Sequence, residues 1–203
     1  MSTPRRIYTT VNGVHFLTRE EWGVSDSQIH RIDGPAWREW VVVGETTVLI
    51  LEEWFLNGRR HRIDEPAWRQ WQVVDGNPVL TREAWYMNGL HHRIGGPACQ
   101  EWDVSDGRVV LILEDWFLNG QCHRIDGPAY REWEVRHENT VLTDEGWCLK
   151  GANIHPRILR QPVRAIERWW QYQRRRRQQA IETSLWDSGM TVFPGFMGLL
   201  KEY

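Results

Sequence analysis

No stretch of this chain is apolar for long enough to cross a membrane as a helix: its uninterrupted apolar runs fall far short of the roughly 18 residues a span requires. The opening residues, Met-Ser-Thr-Pro-Arg-Arg, are not followed by the apolar core of a secretory signal, so the expectation is a cytoplasmic, unsecreted protein. Cysteine is scarce, with three residues among 203. An odd number cannot close a disulfide framework, which suits a reducing compartment. There is no P-loop, no Gly-x-Ser-x-Gly elbow, no Cys-x-x-Cys pair and no HExxH helix, and no glycines cluster into a phosphate-cradling loop. The usual signatures of nucleotide, hydrolase and zinc-protease chemistry are therefore missing. The expectation is a non-enzymatic chain with no cofactor, no metal and no small-molecule substrate.

Tryptophan, by contrast, is abundant, at 14 of 203 residues. A surplus of one bulky residue implies one structural slot filled many times. Trp40, Trp71, Trp102 and Trp133 recur every 31 residues, as do Trp54, Trp85, Trp116 and Trp147. His30, His61, His92 and His123 keep the same interval, and His155 follows 32 later. The shared unit reads Val-Leu, two residues, Glu, one residue, Trp, aromatic, Leu or Met, Asn-Gly, two residues, His-Arg-Ile, Asp-Gly-Pro-Ala, three residues, Trp. The array runs over 7–156, with units near 17–47, 48–78, 79–109, 110–140 and 141–156.

Each unit carries a hairpin signal, because Asn57-Gly58, Asn88-Gly89 and Asn119-Gly120 lie between apolar runs and suit the two positive-φ positions of a type I′ turn. Pro35, Pro66, Pro97 and Pro128 then open a second extended stretch. Its alternation places Ala36, Trp40 and Val42, with Arg38, on one face that reads as core, and Trp37, Glu39 and Val41 on a wetter one. Arg38, Arg69 and Arg131 on the core side are expected to stack on tryptophans. Faces that do not flip between units require an even number of strands per unit, two long and bent or four short; Thr81–Ala84 could instead form a helical turn. The fold class expected is mainly β, an elongated antiparallel meander of about five repeats followed by a C-terminal helix and an extended tail. The first and last copies lose parts of the motif, as caps of a stack do.

The His column, with Asp33, Asp64 and Asp126, is the most enzyme-like feature. Equivalent residues in a meander stand about two strand spacings apart, ~10 Å, so ligands from successive units cannot converge on one ion. The bland assignment is that His and Arg bond the following turn or the neighbouring unit's backbone. Cys99, Cys122 and Cys148 fall in three different slots and read as filler.

The unit with aromatic, Leu, Asn-Gly, two residues, His-Arg-Ile-Asp-Gly-Pro-Ala resembles the variant MORN-like repeats of large amoeba-infecting DNA viruses, phages and bacteria, over about residues 16–156. The resemblance implies a twisted β-meander with a scaffolding or protein-interaction role, and a place in the virion or host cytoplasm.

Charge is segregated along the chain. Residues 1–156 hold 16 basic and 23 acidic side chains, whereas 157–177 hold eight arginines and Glu167. Pro162 onward repeats apolar residues at three- and four-residue steps (Val163, Ile166, Trp170), which predicts a basic amphipathic helix within 157–187. The last stretch, 188–203, is an apolar tail broken by Pro194 and Gly195. The candidate partner-binding residues are Trp169, Trp170, Arg174, Arg175, Arg176, Arg177, Phe193 and Phe196. A protein partner or self-association fits this segment first. Nucleic acid is the alternative partner, and an anionic membrane surface a further one. The acidic repeat body is itself a suitable partner, which would make the helix a cap.

Overall fold

The computed structural model describes residues 3–25, 28–105, 107–136 and 139–154. The helix expected within 157–187 and the tail at 188–203 lie outside the described residues, as do all eight candidate partner-binding residues.

In chain order the strands are β1 (Arg5–Val11), β2 (Val14–Glu21), β3 (Gly23–Ser25), β4 (Gln28–Ile29), β5 (Trp37–Val43), β6 (Thr46–Glu53), β7 (Phe55–Leu56), β8 (Arg59–Arg60), β9 (Trp68–Val74) and β10 (Asn77–Ala84). They continue as β11 (Tyr86–Met87), β12 (Leu90–His91), β13 (Cys99–Ser105), β14 (Arg108–Asp115), β15 (Phe117–Leu118), β16 (Gln121–Cys122), β17 (Tyr130–Arg136), β18 (Asn139–Gly146), β19 (Cys148–Leu149) and β20 (Ala152–Asn153). The long strands form one ten-stranded antiparallel meander, β1-β2-β5-β6-β9-β10-β13-β14-β17-β18, and the short ones form five two-stranded ribbons. Each unit thus contributes four strands, a long hairpin and a ribbon, which satisfies the parity argument. Thr81–Ala84 is strand, not a helical turn.

Two turns punctuate each unit. The ribbon turns follow the expected chemistry, with Asn57, Asn88, Asn119 and Lys150 at φ of 50–53° and the following glycines at 74–85°. The long hairpins turn on a second two-residue signal: Asn12-Gly13 at 52° and 79°, and Asp75-Gly76 at 50° and 79°. The first long hairpin is complete, so the described residues hold five pairs of long hairpin and ribbon, the first from Arg5.

Every long hairpin carries a bulge at one place. Glu39 faces Leu51 but Trp40 faces Leu49, leaving Ile50 as the extra residue. Thr18, Thr81, Ile112 and Thr143 hold that position in the other units. The Thr18, Thr81 and Thr143 hydroxyls donate across the bulge to the carbonyls of Ile7, Gln70 and Glu132 at 3.1–3.3 Å. The bulge brings Leu49 and Glu52, three apart in sequence, onto the face of Trp40 and Arg38.

The expectation of one core face and one wet face is corrected. The long strands form a single layer, and every tryptophan among the described residues is partly exposed, on either face. The most deeply buried side chains are small: Ala36, Ala67, Ala98 and Ala129 have no exposed surface. Their backbones explain it. The Ala36 carbonyl accepts the Trp22 N–H at 2.7 Å while its own N–H donates to Glu53 at 2.8 Å. The Ala67, Ala98 and Ala129 carbonyls accept from Trp54, Trp85 and Trp116 at 2.7 Å. Strand, turn and ribbon converge on these alanines with no room for a γ-carbon. Ala67→Leu should therefore lower the unfolding free energy by about 3 kcal/mol. The exposed Ile63→Ala, four residues away, should change it by less than about 0.5 kcal/mol; urea midpoints compare the two.

Candidate interaction surface

The repeated polar residues are best understood through what each one bonds. Each histidine sits just past its ribbon, its N–H donating to the tryptophan carbonyl that opens the ribbon (His61 to Trp54, 3.0 Å). The Nδ1 atoms of His30, His61, His92 and His123 accept the backbone N–H of Asn57, Asn88, Asn119 and Lys150 in the next unit, at 2.9–3.2 Å. An acceptor Nδ1 carries a lone pair, so the ring proton belongs on Nε2. The Asn88 and Asn119 Oδ1 atoms stand 2.9 and 2.7 Å from the same nitrogens; two acceptors cannot bond each other, so an acceptor Nδ1 requires these amides turned with NH₂ toward the ring. The column is thus a line of inter-unit latches. Its fifth member is not His155: Ile154 donates to the Trp147 carbonyl at 2.7 Å in the histidine's place.

The arginine after each histidine covers a tryptophan. The guanidinium carbons of Arg31, Arg62, Arg93 and Arg124 lie 4.1, 3.8, 4.0 and 3.9 Å from the ring centroids of Trp22, Trp54, Trp85 and Trp116. The same guanidinium groups donate to the carbonyls of Pro35, Pro66, Pro97 and Pro128 at 3.1–3.4 Å. Gly34 leaves room for this, since a Cβ there would stand 2.7 Å from Arg31 Cζ. Arg38, Arg69 and Arg131, expected to be the stacking arginines, instead make ion pairs.

Those ion pairs belong to a row that crosses the whole sheet. Register pairs Arg6 with Glu20, Glu20 with Arg38, Arg38 with Glu52, Glu52 with Arg69 and Arg69 with Glu83. The row goes on through Gln100, Glu114 and Arg131 to Glu145. One residue per strand, it alternates in sign except at Gln100. Distances of 3.0 Å (Arg6–Glu20), 3.2 Å (Arg69–Glu52) and 3.2 Å (Arg131–Glu114) mark its closest pairs.

On the ribbons a second column interleaves neighbouring units. Arg60 lies over the rings of Phe55 and Tyr86, and His91 lies between Tyr86 and Phe117, at 4.2 and 5.3 Å. Cys122 follows with Cys148 beside it: the slots differ, yet they adjoin across the unit boundary. In the second unit Arg60 pairs with Glu53 at 2.6 Å. In the fourth the equivalent positions are Asp115 and Cys122. Burial and the nearby Glu101 push the Asp115 carboxyl up to about 6, and burial with the Cys148 thiol pushes Cys122 up to about 12.

One repeated side chain has no such internal use. Ile32, Ile63 and Ile94 are 81%, 64% and 72% exposed, and Ile125 in the same slot is partly buried. An aspartate follows three of them, and the Asp33 and Asp126 side chains are 83% and 75% exposed while pairing with Arg31 and Arg124; Gly95 follows Ile94. The sequence pattern holds this isoleucine inside the motif without singling it out as a site, although an aliphatic residue in an otherwise polar turn of four units is the available signal.

No group of three or more His, Cys, Asp or Glu side chains suited to a metal occurs among the described residues, and none of the described residues forms a helix long and apolar enough to cross a membrane. No family model matches the sequence, and neither a curated protein nor a solved structure matches it.

This geometry leads to two expected outcomes. Cys122→Arg should rebuild the Glu53–Arg60 arrangement beside Asp115 and stabilise the fold near pH 7 by about 1 kcal/mol, the scale of a partly solvated pair. In urea midpoints taken across a pH series, the gain should fade as pH drops below 6, where Asp115 takes up its proton in the wild type. Burial first, then Arg82 and Arg60, holds His91 below the usual histidine value, and burial with Lys150 does the same for His123. For both, the unfolded chain binds the proton first, so their stabilisation is complete above about pH 6.5 and is lost as pH falls. With Asp115→Asn removing the opposing carboxylate, the Tm should fall between about pH 7 and about pH 5.5, and less steeply in His91→Phe.

Proposed function

We propose that this chain is a non-enzymatic protein-interaction scaffold of MORN-like repeats. The observation that carries the reading is one isoleucine slot shared by four units, strongly exposed at Ile32, Ile63 and Ile94 and partly buried at Ile125. Every other residue repeated as faithfully serves the array itself, with glycine in a turn, histidine on the next backbone, arginine on tryptophan and alanine in the buried seam. Water-exposed aliphatic side chains contribute nothing to folding at that slot, so their repetition reflects contact with something outside the chain. Successive isoleucines stand about 10 Å apart, two strand spacings, which gives a partner a ladder of evenly placed apolar anchors. The acidic residues beside them favour a partner of basic character.

The repeated histidines and arginines also support this reading over catalysis. The histidine Nδ1 atoms and the arginine guanidinium groups are already bonded within the array, and successive units hold them apart. A structural role in virus assembly rests on the family resemblance alone.

The test is a chain carrying Ile32→Ser, Ile63→Ser and Ile94→Ser together. A complex reconstituted from purified chain and a partner identified by cross-linking should weaken at least tenfold in Kd, since each buried isoleucine contributes about 1.5–3 kcal/mol. The Tm of the free chain should be nearly unchanged. Unaltered affinity would refute the surface.

A further inference from the structure

The alternating row across the sheet starts and ends on edge strands of opposite character. β1 presents Arg5 and Arg6, and β18 presents Asp144 and Glu145. Both strands are exposed along nearly their whole length. We infer that copies of this chain associate head to tail, the outer edge of β18 in one copy pairing with the outer edge of β1 in the next.

The internal junctions define what such a contact would look like. Between hairpins the long strands pair over only three residues: Arg19, Glu20 and Glu21 with Glu39, Arg38 and Trp37, and likewise Leu113, Glu114 and Asp115 with Glu132, Arg131 and Tyr130. The central pair is Glu–Arg in three of the four junctions and Glu83–Gln100 in the other. A second copy in the same register sets Glu145 opposite Arg6, Asp144 opposite Ile7 and Gly146 opposite Arg5. Arg6 uses one side of its guanidinium for Glu20 and keeps 49% of its side chain exposed; the Glu145 side chain is 42% exposed. The central ion pair of the array is therefore present in halves at its two ends.

The backbone agrees. At each internal junction a tryptophan N–H donates to the buried alanine two residues before the row position, as Trp22 does to Ala36. Trp147 is the matching donor at the β18 end. At the β1 end Pro4 occupies the alanine's place, two residues before Arg6. Proline lacks the N–H that an alanine there would use within its own hairpin, but it keeps the carbonyl that the neighbouring copy's Trp147 requires. Such a contact is heterologous, so it leaves a free edge at each end of a pair and continues into a ring or an open filament, according to whether the rotation closes. It stands apart from the isoleucine surface: the triple isoleucine variant should self-associate as the wild type does, and loss of one property without the other identifies which reading has failed.

The experiment uses the full-length chain. Sedimentation velocity over a wide concentration range should show association that weakens with salt and falls at least tenfold in Glu145→Lys. Ile7→Cys and Asp144→Cys chains, made separately and mixed under mild oxidation, should cross-link to each other, because directly opposed residues lie within disulfide reach. Wild-type chain reports the background from the three native cysteines. Wild-type chain that stays monomeric throughout, including because its own 155–203 segment covers the β18 edge, overturns the proposal. So do cross-links that form only between like chains, or association indifferent to Glu145→Lys.

Discussion

A guanidinium seated over a tryptophan ring is the contact on which each junction between long hairpin and ribbon depends. A sheet normally buries one face against another layer, and among the described residues the long strands form a single sheet with no second one of comparable size. The indole surfaces of Trp22, Trp54, Trp85 and Trp116 would otherwise face water. Arg31 and its equivalents cover them at about 4 Å while the guanidinium keeps hydrogen bonds to a proline carbonyl and its charge stays near solvent. Each stack is worth about 0.5–2 kcal/mol, and it fixes the turn that carries the alanine into its fully buried place. At Gly34, Gly96 and Gly127 a Cβ would stand 2.7, 2.8 and 3.0 Å from the nearest atom of the guanidinium as it lies there. In the second unit Glu65 stands there instead and binds Arg62 at 2.7 Å, so the stack survives with a different partner.

Because no unit buries a large side chain by itself, stability is shared between neighbours, as in other repeat arrays. Three kinds of bond cross each boundary: histidine Nδ1 to the next ribbon turn, ribbon backbone to ribbon backbone, and the charged row. Their strengths vary along the chain. The second unit has its ion pair between Glu53 and Arg60, whereas the fourth has a partly desolvated Asp115 facing a thiol. Substitution at one member of a column leaves the other stranded, which is why Asp115 binds its proton so much more readily than an ordinary carboxylate. Local opening is expected to begin at this weakened boundary.

The 31-residue period made the units, the ribbon turn and the even number of strands per unit legible, because each depends on local chemistry repeated in register; that the number is four, two long and two short, was not. The second turn carries the same signal at Asn12-Gly13 and Asp75-Gly76, where the same positive-φ pair occurs, but hairpin turns were expected from the sequence only at the ribbon pairs. The charged row was not legible. A bulge at Ile50 and its equivalents changes the parity of the second strand, so Glu52 and Leu49 share a face that simple alternation separates. Which arginine stacks was hidden for a related reason: alternation put Arg38 beside Trp40 on one face, but its cross-strand neighbours are Glu20 and Glu52, and a carboxylate at hydrogen-bond distance outcompetes a ring. His155 matched the column by residue type, but the ribbon fixes its own length, and seven residues from Trp147 place Ile154 there. The candidate residues beyond 156 were chosen from composition and helical period, and they lie outside the described residues.

Repetition itself then separates what the fold needs from what it does not. A residue kept in every copy is under the same demand in every copy, and for most of the motif that demand is visible as a bond or a fully buried position. Where the demand varies, the residue varies too: the aspartate of the turn is glycine at Gly95, and the ribbon arginine becomes His91 and then Cys122. Ile32, Ile63, Ile94 and Ile125 neither vary nor bond. Chance retention of an aliphatic side chain at an exposed turn is disfavoured by solubility, since an array multiplies every apolar patch by its copy number. The same multiplication is what a binding surface exploits, because anchors repeated at fixed spacing engage one partner together and gain affinity through effective concentration instead of individual strength.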